Sequence, residues 1–312
     1  MRIGINVPPA ARGRVFSLDD WVDQVAAFAQ QGFPSAWFAH IFGFDALTAL
    51  AVIGRAVSHI ELGTAVVPVQ PRHPMVLAQQ ALTTQVAIGG RLVLGLGLSH
   101  RPVVERMWGY GFHQPAEYMR EYLNILQPLL RGEPVDFAGQ QLKGKGQLTL
   151  PPVEPPSVLL AALGPRMLRI AGEQSDGTIT WMVGPKTLES HVVPVLRSAA
   201  QAAGRPEPRI VVGLPVCVTD EPDPARERAA RNFARYGELP SYRAMLDREG
   251  VAGPADVAVV GSEAQVERQL RVIESAGATD FNANVFGSGP EQERGYEFLR
   301  SIGVVHGRGA AV

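Results

Sequence analysis

The sequence predicts a closed (β/α)8 TIM barrel, in which eight parallel strands alternate with helices. Three observations lead to this prediction. Short apolar runs alternate with longer segments of helical periodicity along the whole chain. The length of 312 residues suits one barrel, and no shift in composition marks a second domain. We therefore expect one domain over residues 1–303, with insertions near residues 97–115, 131–156 and 237–261 and a flexible tail over residues 304–312.

The first half of the chain contains four strand–helix units. Ser17 is a favourable N-cap for the first helix, Pro74 opens the third helix, and Gly89 and Gly90 end it. After the fourth strand the pattern becomes irregular before the next helix begins. The predicted strands are Arg2–Val7, Ser35–Ala39, Ile60–Val67 and Arg91–Leu96, and the helices begin at Ser17 and cover Asp45–Val57, Pro74–Ile88 and Ala116–Leu130.

The second half repeats the alternation after an inserted hairpin. Alternating residues at Val135–Phe137 and Gln147–Leu150 indicate the two arms of this hairpin. The segment Gly237–Gly261 has no clear period, and we expect it to be irregular. The predicted strands are Ser157–Ala162, Gly177–Trp181, Arg209–Val218 and Asp280–Val285, and the helices begin at Pro165 and cover Pro185–Ala203, Asp223–Tyr236, Ser262–Ala276 and Pro290–Ile302.

An open, doubly wound sheet is the alternative fold. Its dinucleotide-binding form carries a Gly-x-Gly-x-x-Gly turn after the first strand, but the first strand here is followed by Pro8, Pro9 and Ala10. Gly95 and Gly97 have part of this spacing, but they come at the fourth strand and not after the first, and position 100 is not a glycine. The closed barrel is therefore favoured.

Composition and charge argue against several functions. The chain has 29 Lys and Arg against 30 Asp and Glu and no basic run, so we expect no binding to nucleic acid or to an anionic membrane. The single cysteine, Cys217, lies in an apolar run, which predicts a buried, unreactive thiol. We see no signal peptide, and no apolar stretch approaches the roughly 20 residues of a spanning helix. We expect a cytoplasmic protein that acts on a small molecule.

Two further kinds of chemistry have no support in the sequence. The seven histidines are not clustered with carboxylates and show no metal-binding spacing, so we expect no metal site. A Gly-x-Ser-x-Gly motif is also missing from the sequence, so hydrolysis by an activated serine is not indicated.

Candidate functional residues follow the ends of the predicted strands, because the active site of this fold lies at the C-terminal mouth of the barrel. His40 follows the second strand, and Ser99 and His100 follow the fourth. Gly164, Pro165 and Arg166 follow the fifth: glycine permits close approach of a ligand, proline starts a helix, and the free amides with the arginine suit a phosphate. A structural histidine at position 40 and a solvated arginine at position 166 are the alternative interpretations.

Several motifs together resemble the luciferase-like monooxygenase superfamily, and in detail its branch that uses the deazaflavin coenzyme F420. They occur in the same order along most of the chain from Met1 to about Gly184. They are Leu62-Gly63-Thr64-Ala65-Val66-Val67-Pro68, Arg72-His73-Pro74, Ala78-Gln79-Gln80-Ala81, Gly90-Arg91-Leu92-Val93-Leu94-Gly95-Leu96-Gly97, Ala161-Ala162-Leu163-Gly164-Pro165-Arg166-Met167 and Ser175-Asp176-Gly177.

The resemblance implies a barrel with an insertion, usually a homodimer, whose cofactor ring lies across the strand ends. It implies a cis peptide bond at Ala65–Val66 behind the ring and an active-site histidine at His40, which would steer or exchange a proton. The implied cofactor-binding residues are Ala65, Val66, Leu98, Ser99, His100, Gly164, Pro165, Arg166 and Met167.

The resemblance leaves three functions open. The favoured function is hydride transfer between coenzyme F420 and a small organic substrate. The alternatives are an FMN-dependent monooxygenase and a non-catalytic flavin-binding protein. In the related sugar-phosphate dehydrogenases a glutamate stands in place of His100, which argues against a sugar phosphate as the substrate. The substrate pocket is expected among the loops Pro68–His73, Arg101–Pro115 and Gly237–Gly261, where Trp108, Tyr110 and Phe112 suggest an apolar or aromatic substrate.

Overall fold

The computed structural model describes residues 1–11 and 14–307 and shows a closed barrel of eight parallel strands. Each strand pairs with the next, β4 pairs with β5, and β8 pairs with both β7 and β1, which closes the ring. The prediction of a (β/α)8 barrel is confirmed. The strands are β1 (Arg2–Asn6), β2 (Ser35–Phe38), β3 (Glu61–Thr64), β4 (Leu92–Gly97), β5 (Ser157–Leu160), β6 (Gly177–Trp181), β7 (Arg209–Val218) and β8 (Asp280–Val285).

Helices surround the barrel and bury their apolar faces against it. The first begins at the predicted Ser17 N-cap, whose hydroxyl accepts a hydrogen bond from the Asp20 amide over 3.1 Å. The main helices are Leu18–Gln30, Ala46–Ala56, Pro74–Ala87, Pro115–Leu130, Pro165–Gln174, Val193–Ala202, Pro222–Glu238, Pro240–Glu249, Glu263–Ser275 and Gly289–Gly307. Within the described residues, no helix is both long enough and apolar enough to cross a membrane.

The structure corrects three predictions about the insertions and the C-terminus. The segment Gly237–Gly261 is largely ordered: it holds the helix Pro240–Glu249, a short 3-10 turn and a strand, Val259–Gly261, that pairs with β7. The second arm of the inserted hairpin is Lys143–Gly146, not Gln147–Leu150. The last helix continues to Gly307, past the predicted start of the tail, and residues 308–312 lie outside the described residues.

A buried carboxylate holds the inserted hairpin on the barrel. Glu121, on the helix Pro115–Leu130, accepts hydrogen bonds from the amides of Gln140, Gln141 and Leu142 over 2.7–2.9 Å. These amides form the turn of the hairpin Val135–Ala138/Lys143–Gly146 and lower the pKa of Glu121 against the opposing effect of its burial. The turn therefore stays fixed although the hairpin has few apolar residues.

The barrel interior is apolar at mid-height and charged at its N-terminal end. Trp37, Val93, Leu159, Ile179 and Val211 pack together across the centre. Parallel pairing keeps paired residues on one face, so the residues paired with these also point inward. The barrel is therefore a packed core that leaves only its two ends for function.

Candidate active site

Small residues open one side of the C-terminal mouth of the barrel. Ala65 and Val66 follow β3, Gly97 ends β4, and Ala161 follows β5, all directed at the interior cluster. A Cβ atom on Gly97 would lie 2.6 Å from Val66 and 3.3 Å from Ala161, and one on Gly95 would lie 1.9 Å from the Thr64 carbonyl oxygen. Gly95 and Gly97 are therefore explained by close packing against the chain that follows β3, and not by a dinucleotide motif.

The peptide bond between Ala65 and Val66 is cis, as the sequence resemblance implied. The Ala65 amide donates a hydrogen bond over 2.7 Å to the Phe38 carbonyl at the end of β2. This bond joins the segment after β3 to the strand that precedes His40.

His40 lies in a hydrogen-bonded network beside this segment. Its Nδ1 accepts a hydrogen bond from the Ala46 amide over 3.1 Å, at the start of the helix Ala46–Ala56. Arg72 Nη2 lies 3.5 Å from His40 Nε2 and also pairs with Asp45. Burial, and then the charge of Arg72, lower the pKa of His40 below its usual value, against the effect of Asp45. His40 is therefore neutral at neutral pH.

Ser99 and His100 form the rim of the mouth after β4. Ser99 has φ 57°, in the left-handed region that serine rarely adopts. The ring of His100 lies 5.5 Å from the ring of Tyr242, and burial followed by the charge of Arg235 lowers the pKa of His100. Met182, after β6, has φ 56°. Two of the four non-glycine residues with positive φ in the described part of the chain therefore follow strand ends at the mouth, where such conformations often mark functional sites.

The helix Pro165–Gln174 begins at the mouth with unsatisfied groups. No side chain caps its N-terminus at Gly164, and a Cβ atom on Gly164 would meet nothing within 4 Å. Arg166 is exposed, and within the described residues it has no ion-pair partner. His191 Nε2 lies 2.8 Å from the Leu163 carbonyl and fixes the chain just before Gly164. The result is an open, rigid and positive helix start that suits an anion.

The structure therefore brings the candidate residues to one connected part of the mouth. His40, Ala65, Val66, Leu98, Ser99, His100 and Gly164–Met167 follow β2, β3, β4 and β5, which are neighbours in the barrel. The aromatic residues Trp108, Tyr110 and Phe112 are less enclosed: Tyr110 is 48% exposed, and Phe112 stacks under Arg101 at 5.2 Å.

The opposite side of the mouth is covered by aromatic residues, of which the sequence placed Trp181 at the end of a strand and Tyr242 in a loop expected to line the substrate pocket. Trp181 ends β6 and lies 5.7 Å from the ring of Tyr236, which lies 5.3 Å from Tyr242. Tyr236 and Tyr242 belong to the helices Pro222–Glu238 and Pro240–Glu249. The second of these lies in the segment Gly237–Gly261, which the sequence placed near the substrate pocket but expected to be irregular.

Two asparagines complete the mouth beside Trp181. Asn6 ends β1 and Asn284 lies near the end of β8, and these strands are neighbours in the closed barrel. Asn284 Nδ2 donates a hydrogen bond over 3.4 Å to Asn6 Oδ1. The sequence could have indicated this pair, because both residues lie near the ends of their strands and the first and last strands are neighbours in a closed barrel.

Among the described residues, no group of three or more histidine, cysteine, aspartate or glutamate side chains is placed to hold a metal ion. Cys217 is buried, as predicted, and burial raises the pKa of its thiol to about 11. This thiol therefore stays protonated at neutral pH.

The chain belongs to the luciferase-like monooxygenase family, whose model matches residues 1–280. It is 29% identical over 254 residues to 5,10-methylenetetrahydromethanopterin reductase of Methanolobus tindarius, covering 78% of this chain and 77% of the relative. It is 35% identical over 176 residues to a Mycobacterium tuberculosis protein named as a coenzyme F420-dependent oxidoreductase, covering 52% of this chain and 51% of the relative.

The solved structure of the coenzyme F420-dependent tetrahydromethanopterin reductase of Methanopyrus kandleri has the same fold. Its TM-score is 0.82 at 21% identity, and the alignment covers 98% of this chain and 99% of that chain. The relatives of this luciferase-like chain thus include a named reductase and a named coenzyme F420-dependent oxidoreductase.

Proposed function

We propose that this protein is a coenzyme F420-dependent oxidoreductase that transfers a hydride between the deazaflavin and a small organic substrate. The observation that carries the proposal is the pairing of a small-residue floor with an open, positive helix start on the same side of the mouth. A flat ring attached to a phosphate has the same two parts. A relative that is 35% identical over 176 residues is named as a coenzyme F420-dependent oxidoreductase, which favours the deazaflavin over FMN.

The residues present fit such a cofactor. The small side chains of Ala65 and Ala161 would let a flat ring approach the backbone after β3 beside Val66, and Leu98, Ser99 and His100 would border its edge. Gly164, Pro165, Arg166 and Met167 would hold the phosphate, with the amides of Arg166 and Met167 unused by the helix. When bound, the deazaflavin supplies a carbon that accepts or donates a hydride.

The protein's own part in the reaction is to position groups and to exclude water. Trp181, Tyr236 and Tyr242 cover the mouth on the side away from Ala65 and Val66. His40 offers an N–H group at Nε2, because its Nδ1 is occupied by the Ala46 amide. This N–H group has no acceptor in Arg72, which can only donate, and it could therefore hydrogen-bond to a ring atom or to a substrate oxygen.

A titration of the purified protein with coenzyme F420, FMN and FAD tests the choice of cofactor. We expect coenzyme F420 to bind about tenfold or more tightly than FMN, a difference of about 1.4 kcal/mol. Equal or reversed affinities would contradict the proposal and favour the FMN-dependent monooxygenase. Tight binding of the deazaflavin without hydride transfer to any acceptor would favour a non-catalytic binding protein.

A substitution at the helix start tests how the cofactor is held. Arg166→Ala should weaken binding of coenzyme F420 by about tenfold or more, because a charge-assisted hydrogen bond to the phosphate is lost. Arg169→Ala is the matched control, since Arg169 is an exposed arginine on the same helix. If the two variants bind coenzyme F420 with equal affinity, Arg166 is a solvated side chain that does not contact the cofactor.

A further inference from the structure

The side of the mouth opposite the proposed cofactor has a polar group with no assigned role. Trp181 on β6 and Asn284 on β8 each lie three strands away from β3 around the closed barrel. They therefore face the segment Ala65–Val66 across the mouth. A flat ring resting on that segment would turn its other face toward Trp181, Asn6 and Asn284.

The hydrogen bond between Asn6 and Asn284 leaves a matched pair of free groups. Each amide carries one carbonyl oxygen and one NH2 group, and the bond between them uses one oxygen and one NH2 group. The pair keeps one donor and one acceptor whichever amide donates. In the described part of the chain neither of these two remaining groups has another partner, and both residues are only partly buried.

The surrounding positions carry no charge that would recognise an ion. The inward-facing residues at the ends of the strands are Asn6, Ala39, Ala65, Gly97, Ala161, Trp181, Pro215 and Asn284, and none of these described residues is ionisable. Of the cations nearest the mouth, Arg72 pairs with Asp45 beside His40, and Arg235 lies on the outer helix Pro222–Glu238, near Tyr236 and His100. None of the strand-end positions themselves supplies a charge to a carboxylate or phosphate bound at the asparagine pair.

One further unpartnered atom lies in the same region. Asn282, one inward position below Asn284, is 2% exposed, and its Oδ1 accepts no hydrogen bond. Trp181 is paired in register with Gly213, on which a Cβ atom would lie 3.0 Å from the indole, and its ring lies beside Tyr236. Buried polar atoms without partners are few in native proteins, and the Asn282 oxygen adds one directly beneath the asparagine pair.

From these contacts we infer that Asn6 and Asn284 bind the polar end of the substrate, and that this substrate is a neutral molecule bearing a hydroxyl or a carboxamide next to an apolar body. Such a group both donates and accepts hydrogen bonds, as the pair requires. The apolar body packs against Trp181. This inference rests on the proposed function, because it assumes that the cofactor occupies the side of Ala65 and Val66.

Binding of four cyclohexane derivatives tests the inference. Cyclohexanecarboxamide, cyclohexanol, cyclohexanecarboxylate and cyclohexylammonium share one ring and differ in their polar group. Their dissociation constants are measured by ligand-observed NMR, with and without saturating coenzyme F420. We expect the carboxamide and the alcohol to bind about tenfold or more tightly than the carboxylate.

Substitutions of Asn284 test whether the asparagine pair causes the preference for the carboxamide and the alcohol. Asn284→Leu should weaken carboxamide binding by about tenfold, since a donor or acceptor is lost. Asn284→Asp keeps the size of the side chain and should turn the preference toward cyclohexylammonium. Asn232→Leu, the same change at an exposed asparagine, is the control. It should change neither the affinity for the carboxamide nor the preference among the four ligands.

The outcomes separate this inference from the proposed function. Failure of the wild-type protein to bind the carboxamide, equal binding of the carboxylate, or an unchanged affinity in Asn284→Leu would overturn the inference even if coenzyme F420 binds. Selective binding that depends on Asn284, in a protein that does not bind coenzyme F420, would support the asparagine pair and reject the proposed cofactor.

Discussion

The hydrogen bonds around His40 determine which of its ring nitrogens carries the proton. Nδ1 accepts the Ala46 amide, so in the neutral ring the proton is on Nε2. Arg72 approaches Nε2 at 3.5 Å, and its charge disfavours a second proton on the ring. A proton carrier would have to take its proton on Nδ1 and release the helix start. The geometry thus favours a hydrogen-bond donor over the proton carrier that the sequence left open.

The depressed pKa of His40 predicts how stability depends on pH. The unfolded chain protonates this histidine near pH ~6.5, whereas the folded protein does so only at lower pH. The folded state therefore binds fewer protons, and His40 makes it less stable as the pH falls below about 6.5. His40→Gln removes this effect. The melting temperature of the variant minus that of the wild type should therefore become more positive as the pH is lowered from ~7.5 to ~5.5.

Thermal unfolding at the two pH values measures this change. His113→Gln, the same substitution at an exposed loop histidine, is the control. If the difference in melting temperature between His40→Gln and the wild type is the same at both pH values, the pKa of His40 is not lowered in the folded protein. In addition, nitrogen chemical shifts at neutral pH should show the proton on Nε2 of His40.

At the residue scale, the sequence placed one group of candidate residues at the mouth and did not pair another. His40, Ser99 and Gly164–Met167 could be placed there because each lies within a few residues of a strand end and carries a recognisable chemical group. Asn6 and Asn284 lie far apart in the chain, and they become a pair only through the pairing of β1 with β8. Tyr242 reaches His100 only because a distant helix docks on the mouth.

The helix Pro240–Glu249 shows why an element can escape prediction. Its start signal Pro240 and its left-handed C-cap Gly250 are both present in the sequence. Only Met245 and Leu246 are buried, so ten residues give no clear apolar period. Tertiary contacts supply the missing stability. By contrast, β6, β7 and β8 had the predicted bounds: β7 is a nearly continuous apolar run, as expected of a buried parallel strand, and β8 alternates polar and apolar residues.

Glu249 provides the main polar contact that docks this helix. Its carboxylate accepts hydrogen bonds from the amides of Lys186 and Thr187 over 3.1 and 2.8 Å, at the helix start after β6. A Cβ atom on Gly184 would lie 2.3 Å from the carboxylate carbon, so glycine is needed for this approach. Glu249 thereby links the helix that carries Tyr242 to the end of the strand that carries Trp181.

Glu249→Ala should release the helix Pro240–Glu249 from the mouth without unfolding the barrel. We expect amide hydrogen exchange to become faster at residues 240–250 and 186–188, because both sides of the contact lose their partner. Glu238→Ala is the control, at an exposed glutamate of the preceding helix. Unchanged exchange in Glu249→Ala would show that apolar contacts alone hold the helix.

The two ends of the barrel differ in their polar groups and in the role that we expect for each. The C-terminal mouth carries open polar groups, whereas the N-terminal end is closed by ion pairs. Arg209 on β7 makes hydrogen bonds of 2.6 Å to both Glu61 on β3 and Asp280 on β8, and its guanidinium lies 5.5 Å from the ring of Trp37. Arg2 on β1 lies 3.4 Å from Glu61 and 3.6 Å from Asp280. Two positive and two negative groups thus join four strands.

Removing Arg209 tests whether this closure supports the barrel as a whole. Arg209→Met should lower the free energy of unfolding by about 3–5 kcal/mol, because Glu61 and Asp280 would keep their charges without their main partner. Arg131→Met is the control: its ion pair with Glu133 is exposed, with side-chain exposures of 48% and 51%, and should contribute less than about 1 kcal/mol. Urea unfolding measures both values.

The affinity of the folded Arg209→Met variant for coenzyme F420 should stay unchanged, because Arg209 lies at the end opposite the mouth. A loss of stability no larger than that of the control would mean that apolar packing around Trp37 closes the barrel without the ion pairs.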